Sequence, residues 1–445
     1  SDLYNPNGRD LSSLYTDDGY LNFYAYPVES LVASDTINVE VRMGEGKQFR
    51  IGEIAVSGNS KTNDHVIYRE IRTRPGDLFN RSDLMRSQRE LNAMGFFNPE
   101  GFDIRTNPNP DKGTVDLEYV VEEKPSDQIQ LSGGWGGGRV VGTLGLSFNN
   151  FSLRNILKKD AWSPLPSGDG QRLSINAVSN GAFYQSYNLS FVEPWLGGKK
   201  PNSLSVSVYH SVMSNGQKKY IGDVLNPNRQ SMIITGAGVN FGQKWNRPDD
   251  WFLFYTGITY QHIDLNRYQS FFAINEGYFN NLNGNITIER NSVSDPIYPT
   301  WGSKITLSSK FTLPYHWIGE NFQGKTYDYA GMSEQERFQW VEYYKIKFTA
   351  HWYTALNKHK TNKFVLNTNV GFGFLGTYNN KLGQSPFERF YLGGVYLSGF
   401  ALDGREIVNL RGYDDLSLTT PSDRVGAPVI TKYSVELRYP FTTNP

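Results

Sequence analysis

At 445 residues the chain has room for about two or three domains, and its 44 basic and 44 acidic side chains leave no net field that favours nucleic acid or an acidic partner. It contains no cysteine, which excludes a disulfide framework, thiolate metal sites and cysteine nucleophiles. No run of about 18 apolar residues predicts a membrane helix, yet 28 tyrosines and 27 phenylalanines are many for a mean hydropathy of −0.50, and a β-barrel crosses with alternating segments that averaging hides.

The chain opens SDLYNPNGRD with no leader pattern, which reads as a trimmed product. Residues 11–24 (LSSLYTDDGYLNFY) and 35–43 (DTINVEVRM) are echoed downstream by LMRSQRELNAMGFFN and GTVDLEYVVEE. Residues 50–59 (RIGEIAVSGN) predict a strand ending in a Ser-Gly-Asn turn. Thr62 or Asn63 is placed to cap a helix over TNDHVIYREIRT, with Val66, Ile67 and Ile71 on one face, and Pro75-Gly76 breaks it. A second helix, SDLMRSQRELNAMGFF, starts at Asn80 or Ser82, carries Leu84, Leu91 and Met94 at helical spacing, and ends at Gly95. Strands around 102–107 and 114–123 follow, joined by NPNPDKG. Residues 49–125 thus form a complete strand-helix-helix-strand-strand module, and 1–48 the C-terminal part of another. Neither carries a catalytic constellation.

From 126 to 445 the hydrophobic period is two. In YYKIKFTAHW, Tyr344, Ile346, Phe348, Ala350 and Trp352 face one way, while Lys345, Lys347, Thr349 and His351 face the other. About twelve such segments of roughly ten residues suit a membrane barrel. Tight turns alternate with long polar loops, the longest at about 376–430, and rings gather at segment ends as an interfacial girdle requires. A propeller would need a repeat near 40 residues, which is not found. The first strand, 127–138, includes LSGGWGGG, with five glycines in eight positions. Such a strand pairs weakly and could serve as a seam, or its glycines could only permit a kink.

Motifs that resemble chemistry sit in the wrong context. GENFQGKT (319–326) fits the P-loop pattern but follows LPYHWI inside a loop, and GFGFLG (371–376) lies along a strand. The six histidines show no metal-ligand spacing, and no G-x-S-x-G elbow occurs. No nucleotide, metal or other cofactor is expected, and no enzyme activity.

The strand-helix-helix-strand-strand unit resembles a POTRA domain, the periplasmic module of outer-membrane assembly proteins. The barrel half resembles the BamA family, whose members fold and insert other β-barrels into the bacterial outer membrane. Four stretches carry the likeness: EEKPSDQIQLSGGWGGG (122–138), SFVEPWLGG (190–198), DPIYPTWGSKITLSSKF (295–311), and FERFYLGG (387–394) followed by NLRGYDD (409–415). The last usually reads Val-Arg-Gly-Phe in the family, so Leu410 and Tyr413 depart from it while keeping an apolar flank and a ring. The family barrel has about sixteen strands, so the resemblance implies further strands, the closing one included, beyond those found here.

The resemblance further implies that the motif arginine folds into the barrel and meets an acid on the lumen wall. In KYSVELRYP, Tyr433, Val435, Leu437 and Tyr439 alternate with Ser434, Glu436 and Arg438, so Glu436 faces inward on the strand after the loop. A bidentate Arg411–Glu436 pair is the expectation, with Gly412 allowing the bend and Tyr413 packing on the inner wall. An exposed loop arginine is the plainer alternative. The family likeness favours the first strand, with Gln128, Gln130, Gly133, Gly134, Trp135 and Gly136, as a lateral gate that offers its edge to client strands. A POTRA edge at Asp103–Thr106 could do the same. Expected partners are unfolded outer-membrane clients, accessory lipoproteins and lipid, with POTRA units in the periplasm. A two-partner secretion pore and the barrel of a patatin-like phospholipase fusion share the plan and are the rivals.

Overall fold

The computed structural model describes residues 10–33, 36–136, 139–162, 164–268, 272, 274–295, 298–357, 364–393, 406–413 and 426–440. The chain divides into two compact units, Ser1–Gln128 with Ser147–Leu173, and Ile129–Leu146 with Ser174–Pro445.

In the first unit, α1 (Leu11–Asp17) leads into the hairpin of β1 (Tyr24–Ala33) and β2 (Thr36–Gly44). Next come β3 (Arg50–Ser57), α2 (Asp64–Tyr68), α3 (Arg81–Ala93), β4 (Asp103–Asn109) and β5 (Thr114–Val120). Central β5 runs parallel to β3 and antiparallel to β4, so β4, which holds Asp103–Thr106, is an edge strand. Because a strand alternates faces, Val115, Leu117 and Tyr119 are buried together, in one core with Val66, Ile67, Leu84 and Leu91 of the helices. Each such burial stabilises by about 1.5–3 kcal/mol. Asn80 caps α3 as expected, its side chain accepting the Asp83 N–H at 2.9 Å.

Helix α2 is shorter than the expected 62–73. The Arg72 N–H leaves the helical ladder and donates to Ser87 Oγ on α3 at 2.9 Å. Asn63 occupies the N-cap position but makes no capping bond; its Nδ2 donates to Asp169 at 2.9 Å instead.

The barrel wall begins with β6 (Gln128–Gly136), β7 (Arg139–Phe151), β8 (Gln171–Asn180), β9 (Tyr184–Glu193) and β10 (Asn202–Ser214). A small hairpin, β11 (Tyr220–Ile221) and β12 (Val224–Leu225), precedes β13 (Ser231–Trp245), β14 (Phe252–Asn266), β15 (Gly277–Asn291) and β16 (Gly302–Thr312). Helices α4 (Tyr315–Phe322) and α5 (Glu334–Phe338) lie in the connection to β17 (Tyr344–Ala355) and β18 (Val365–Gly376). The parallel pair β19 (Phe390–Gly393) and β20 (Glu406–Asn409) precedes β21 (Val429–Arg438). Twelve of these strands form one sheet, each beside its sequence neighbour, from β6 at one side to β21 at the other. The inserts β11–β12 and β19–β20 stand outside it.

One face of the wall exposes Ile346, Trp352, Tyr433, Val435 and Leu437, while Lys345 and Asn367 on the other are buried. That alternation is the mark of a transmembrane barrel, apolar outward and polar inward. The 15-residue strands β13 to β15 span about 50 Å, more than the roughly 9–11 residues a bilayer needs. The surplus belongs to a second core, in which Met232, Ile263, Leu265 and Phe279 join Tyr343, Leu375, Phe387 and Phe390. Tyrosine and glycine pair across strands: a Cβ on Gly376 would lie 2.2 Å from the Tyr344 ring. The P-loop-like stretch closes α4, with the Lys325 N–H donating to the Gly319 carbonyl at 3.0 Å, and GFGFLG is the end of β18.

Candidate functional site

The connection between β18 and β21 packs its two limbs against the polar face of the wall. In FERF every side chain is engaged. Phe387 meets Phe272 and Phe279 with ring centroids 5.1 Å apart in both cases. Arg389 Nε donates to the Ser385 carbonyl at 3.0 Å. Phe390 lies under the Lys345 ammonium, 4.5 Å from the ring centroid, and exchanges backbone hydrogen bonds with Ala427. Glu388 sits at φ 65°, a strained value for a residue with a side chain.

Lys345 is the centre of this packing. It projects inward from β17 and is 1% exposed. Its ammonium has three acceptors: the Glu388 carbonyl at 2.6 Å, the Glu388 carboxylate at 3.1 Å and the Glu406 carboxylate. Those match its three N–H groups. Lys310 on β16 adds a contact to Glu388 at 3.4 Å, and Lys347 pairs with Glu406. Burial alone would raise both acids, but the lysines outweigh it: Lys310 and Lys345 hold Glu388 below the usual carboxylate range, and Lys345 and Lys347 do so for Glu406. Glu388 and Glu406 stand on separate limbs, so one buried cation clamps both.

NLRGYDD continues from this clamp. Leu410 N–H donates to the Gly393 carbonyl at 2.9 Å, the Lys432 ammonium on β21 donates to the Asn409 carbonyl, and Gly412 turns the chain at φ 87°. Glu436 does face inward and lines a cavity of about 420 Å³ with Lys347, Asn367, Phe390, Glu406 and Arg438. The expected bidentate Arg411–Glu436 pair is not formed. Arg438 takes the carboxylate instead, with Nη2 at 2.7 Å and Nε at 3.1 Å, and Asn367 Nδ2 adds a donor at 3.3 Å. Arg438 lies two residues along the same strand and shares its face, so it reaches Glu436 without ordering a loop. Arg411 is exposed and makes no hydrogen bond or ion pair with Glu436. Tyr413, expected on the inner wall, is 47% exposed.

Strand β6 has β7 as its only neighbour among the described residues. Ile129, Leu131 and Trp135 are exposed. Gln130 faces the same side as Gly145, where a Cβ would lie 3.4 Å from its own Cβ; Gln128 opens the strand and Gly136 closes it. Neither Gly133 nor Gly134 has the positive φ that requires glycine. A Cβ on Gly133 would come no nearer than 3.9 Å to any atom, and one on Gly134 meets nothing.

The sequence pattern put Lys345 and Lys347 inside but assigned them no role. The missed signal was that two inward lysines need inward acids, and the loop supplies Glu388 and Glu406.

Residues 167–445 match the family described as the Omp85 superfamily domain. The chain belongs to the Omp85 superfamily. Residues 49–124 of this Omp85 protein match the POTRA description, surface antigen variable number repeat. It is similar to outer membrane protein assembly factor BamA of Neisseria meningitidis, 23% identical over 94% of this chain and 46% of that protein. A second similarity, to BamA of Neorickettsia risticii, is 30% identical over 29% of this chain and 17% of that protein. The chain therefore spans less than half the length of these curated relatives. The crystal structure of BamA from Haemophilus ducreyi lacking POTRA domains 1-3 shares the fold, with a TM-score of 0.58, 19% identity, and coverage of 96% of this chain and 74% of that one. This Omp85 chain is thus of the BamA type and belongs to an outer membrane.

Proposed function

We propose that the protein folds and inserts client β-barrels into the outer membrane, using β6 as a lateral seam. The observation that carries this reading is the glycine content of β6, the first strand of the wall, where neither backbone strain nor crowding demands glycine at Gly133 or Gly134. A strand with few side chains to pack pairs weakly, so its edge can open to accept an incoming strand by β-augmentation. The POTRA unit lies in the periplasm in this reading and offers β4 as a second, charged edge for unfolded clients. Accessory lipoproteins complete the machine. The energy is that of client folding and lipid burial, so no nucleotide is consumed and no reaction is catalysed.

Within this scheme the Lys345 clamp holds the two limbs of the loop against the polar face of the wall, with Arg411 and Tyr413 left exposed. Depletion of the protein followed by quantification of outer-membrane proteins tests the reading. General loss of many barrels is expected. Loss of one secreted product with the other barrels intact would point to a dedicated secretion pore.

A further inference from the structure

The connection between β7 and β8 carries a surface that neither the seam nor the loop uses. Residues 152–162 wind through two short turns, Leu153–Asn155 and Lys159–Ala161. Leu157 is 92% exposed, and Leu153, Ile156 and Trp162 are exposed beside it. Arg154, Lys158 and Lys159 interleave with them in solvent, against the single acid Asp160. The surface is preformed: Trp162 Nε1 donates to the Ile156 carbonyl at 3.1 Å, and Ile156 N–H to the Leu153 carbonyl at 3.2 Å.

Its base is fastened to the POTRA module of the same unit. Buried Asp169 accepts from Ser152 Oγ at 2.6 Å and from Asn63 Nδ2 at 2.9 Å. Asn150 Nδ2 donates to Thr62 Oγ1 at 2.8 Å, and the Asn63 N–H to the Gly168 carbonyl at 2.9 Å.

Two facts identify what covers the patch. The segment joins β7 to β8, two neighbouring strands of the barrel wall. Its chemistry is aliphatic and indole surface edged by cations, the pattern that seats in the interface of an anionic bilayer. We propose that residues 153–162 bind phospholipid, with Leu153, Ile156, Leu157 and Trp162 in the acyl–headgroup boundary and Arg154, Lys158 and Lys159 on headgroup phosphates. The POTRA module then carries its own membrane anchor, held by the Asp169 latch.

The absence of cysteine allows a clean test. A Leu157→Cys variant of the full-length protein is labelled with an environment-sensitive fluorophore and reconstituted into phosphatidylcholine vesicles with or without phosphatidylglycerol. Asp111→Cys, in the exposed β4–β5 turn, supplies the water reference. The expected result is a blue-shifted emission at position 157, quenched by brominated lipid, stronger with phosphatidylglycerol and reduced by Lys158→Glu with Lys159→Glu. Emission at 157 equal to that at 111 in both vesicle types overturns the proposal. So does a blue shift that arises only when a periplasmic protein fraction is added, because the occupant is then a protein. An unchanged blue shift in the Glu variants, or equal emission with and without phosphatidylglycerol, also overturns the proposal, because the basic residues then meet no headgroup phosphate.

Discussion

Lys345 is the residue on which the inward loop depends. Lys345→Met leaves Glu388 and Glu406 facing a buried apolar side chain, and loss of one partner of a buried ion cluster costs about 3–5 kcal/mol. The expected outcome is a lower unfolding temperature of the reconstituted barrel and faster proteolysis near residues 387–390; wild-type values for both would remove the clamp from the account. Glu388 and Glu406 also set a pH dependence. Their carboxyls are depressed in the folded state, so their contribution is complete above the unfolded value of about 4.3 and is lost as pH falls through the lower folded values. Hydrogen-exchange protection in the loop, taken relative to the intrinsic rate at each pH, is therefore flat from pH 7 to 5 and falls only below about pH 4. Arg411→Ala should change stability little, since an exposed charge contributes about 0–1 kcal/mol, while assembly activity falls; unchanged activity would return Arg411 to the status of a solvated loop charge. At this scale the sequence revealed which way Glu436 and Lys345 point, because period two is a property of the strand itself. It could not reveal that Arg438 rather than Arg411 holds Glu436, because that choice rests on the smaller entropy of a partner already fixed on the same strand.

At the scale of the element, β6 offers the sharper test. A Cβ at Gly133 or Gly134 meets no atom closer than 3.9 Å and neither position requires a forbidden φ, so the folded barrel should accept Gly133→Val and Gly134→Val. Valine favours the strand over glycine, so stability stays level or rises. A seam that must open predicts that client assembly nonetheless drops, whereas a kink-only role predicts no loss of assembly in a barrel that folds normally. Helix α3 makes a contrasting case: Leu91 is fully buried in the core it shares with Val66 and Ile67 of α2 and Leu117 of β5, and Leu91→Ala should cost about 2–5 kcal/mol in thermal unfolding of the POTRA unit. Strands and α3 were readable because periodicity and the Asn80 cap are local signals. The end of α2 was not, since the group that takes its backbone N–H, Ser87, belongs to another helix.

For the whole molecule, the change of hydrophobic period near residue 127 marks the passage from a helix-covered sheet to a barrel wall. Composition alone carried part of this: the excess of tyrosine and glycine reflects rings laid over glycines of neighbouring strands, as at Tyr344 and Gly376. The membership of the first unit was less legible, because residues 147–173 come from within the barrel sequence yet pack with the POTRA module through side chains such as Asp169 that no local pattern distinguishes. The central claim is that this architecture assembles other barrels. Its most direct measurement is the rate at which an unfolded client barrel becomes protease-resistant in vesicles containing the purified full-length protein. The account predicts faster folding than in empty vesicles and a return toward the empty-vesicle rate with Gly133→Val and Gly134→Val; equal rates with and without the wild-type protein would contradict it.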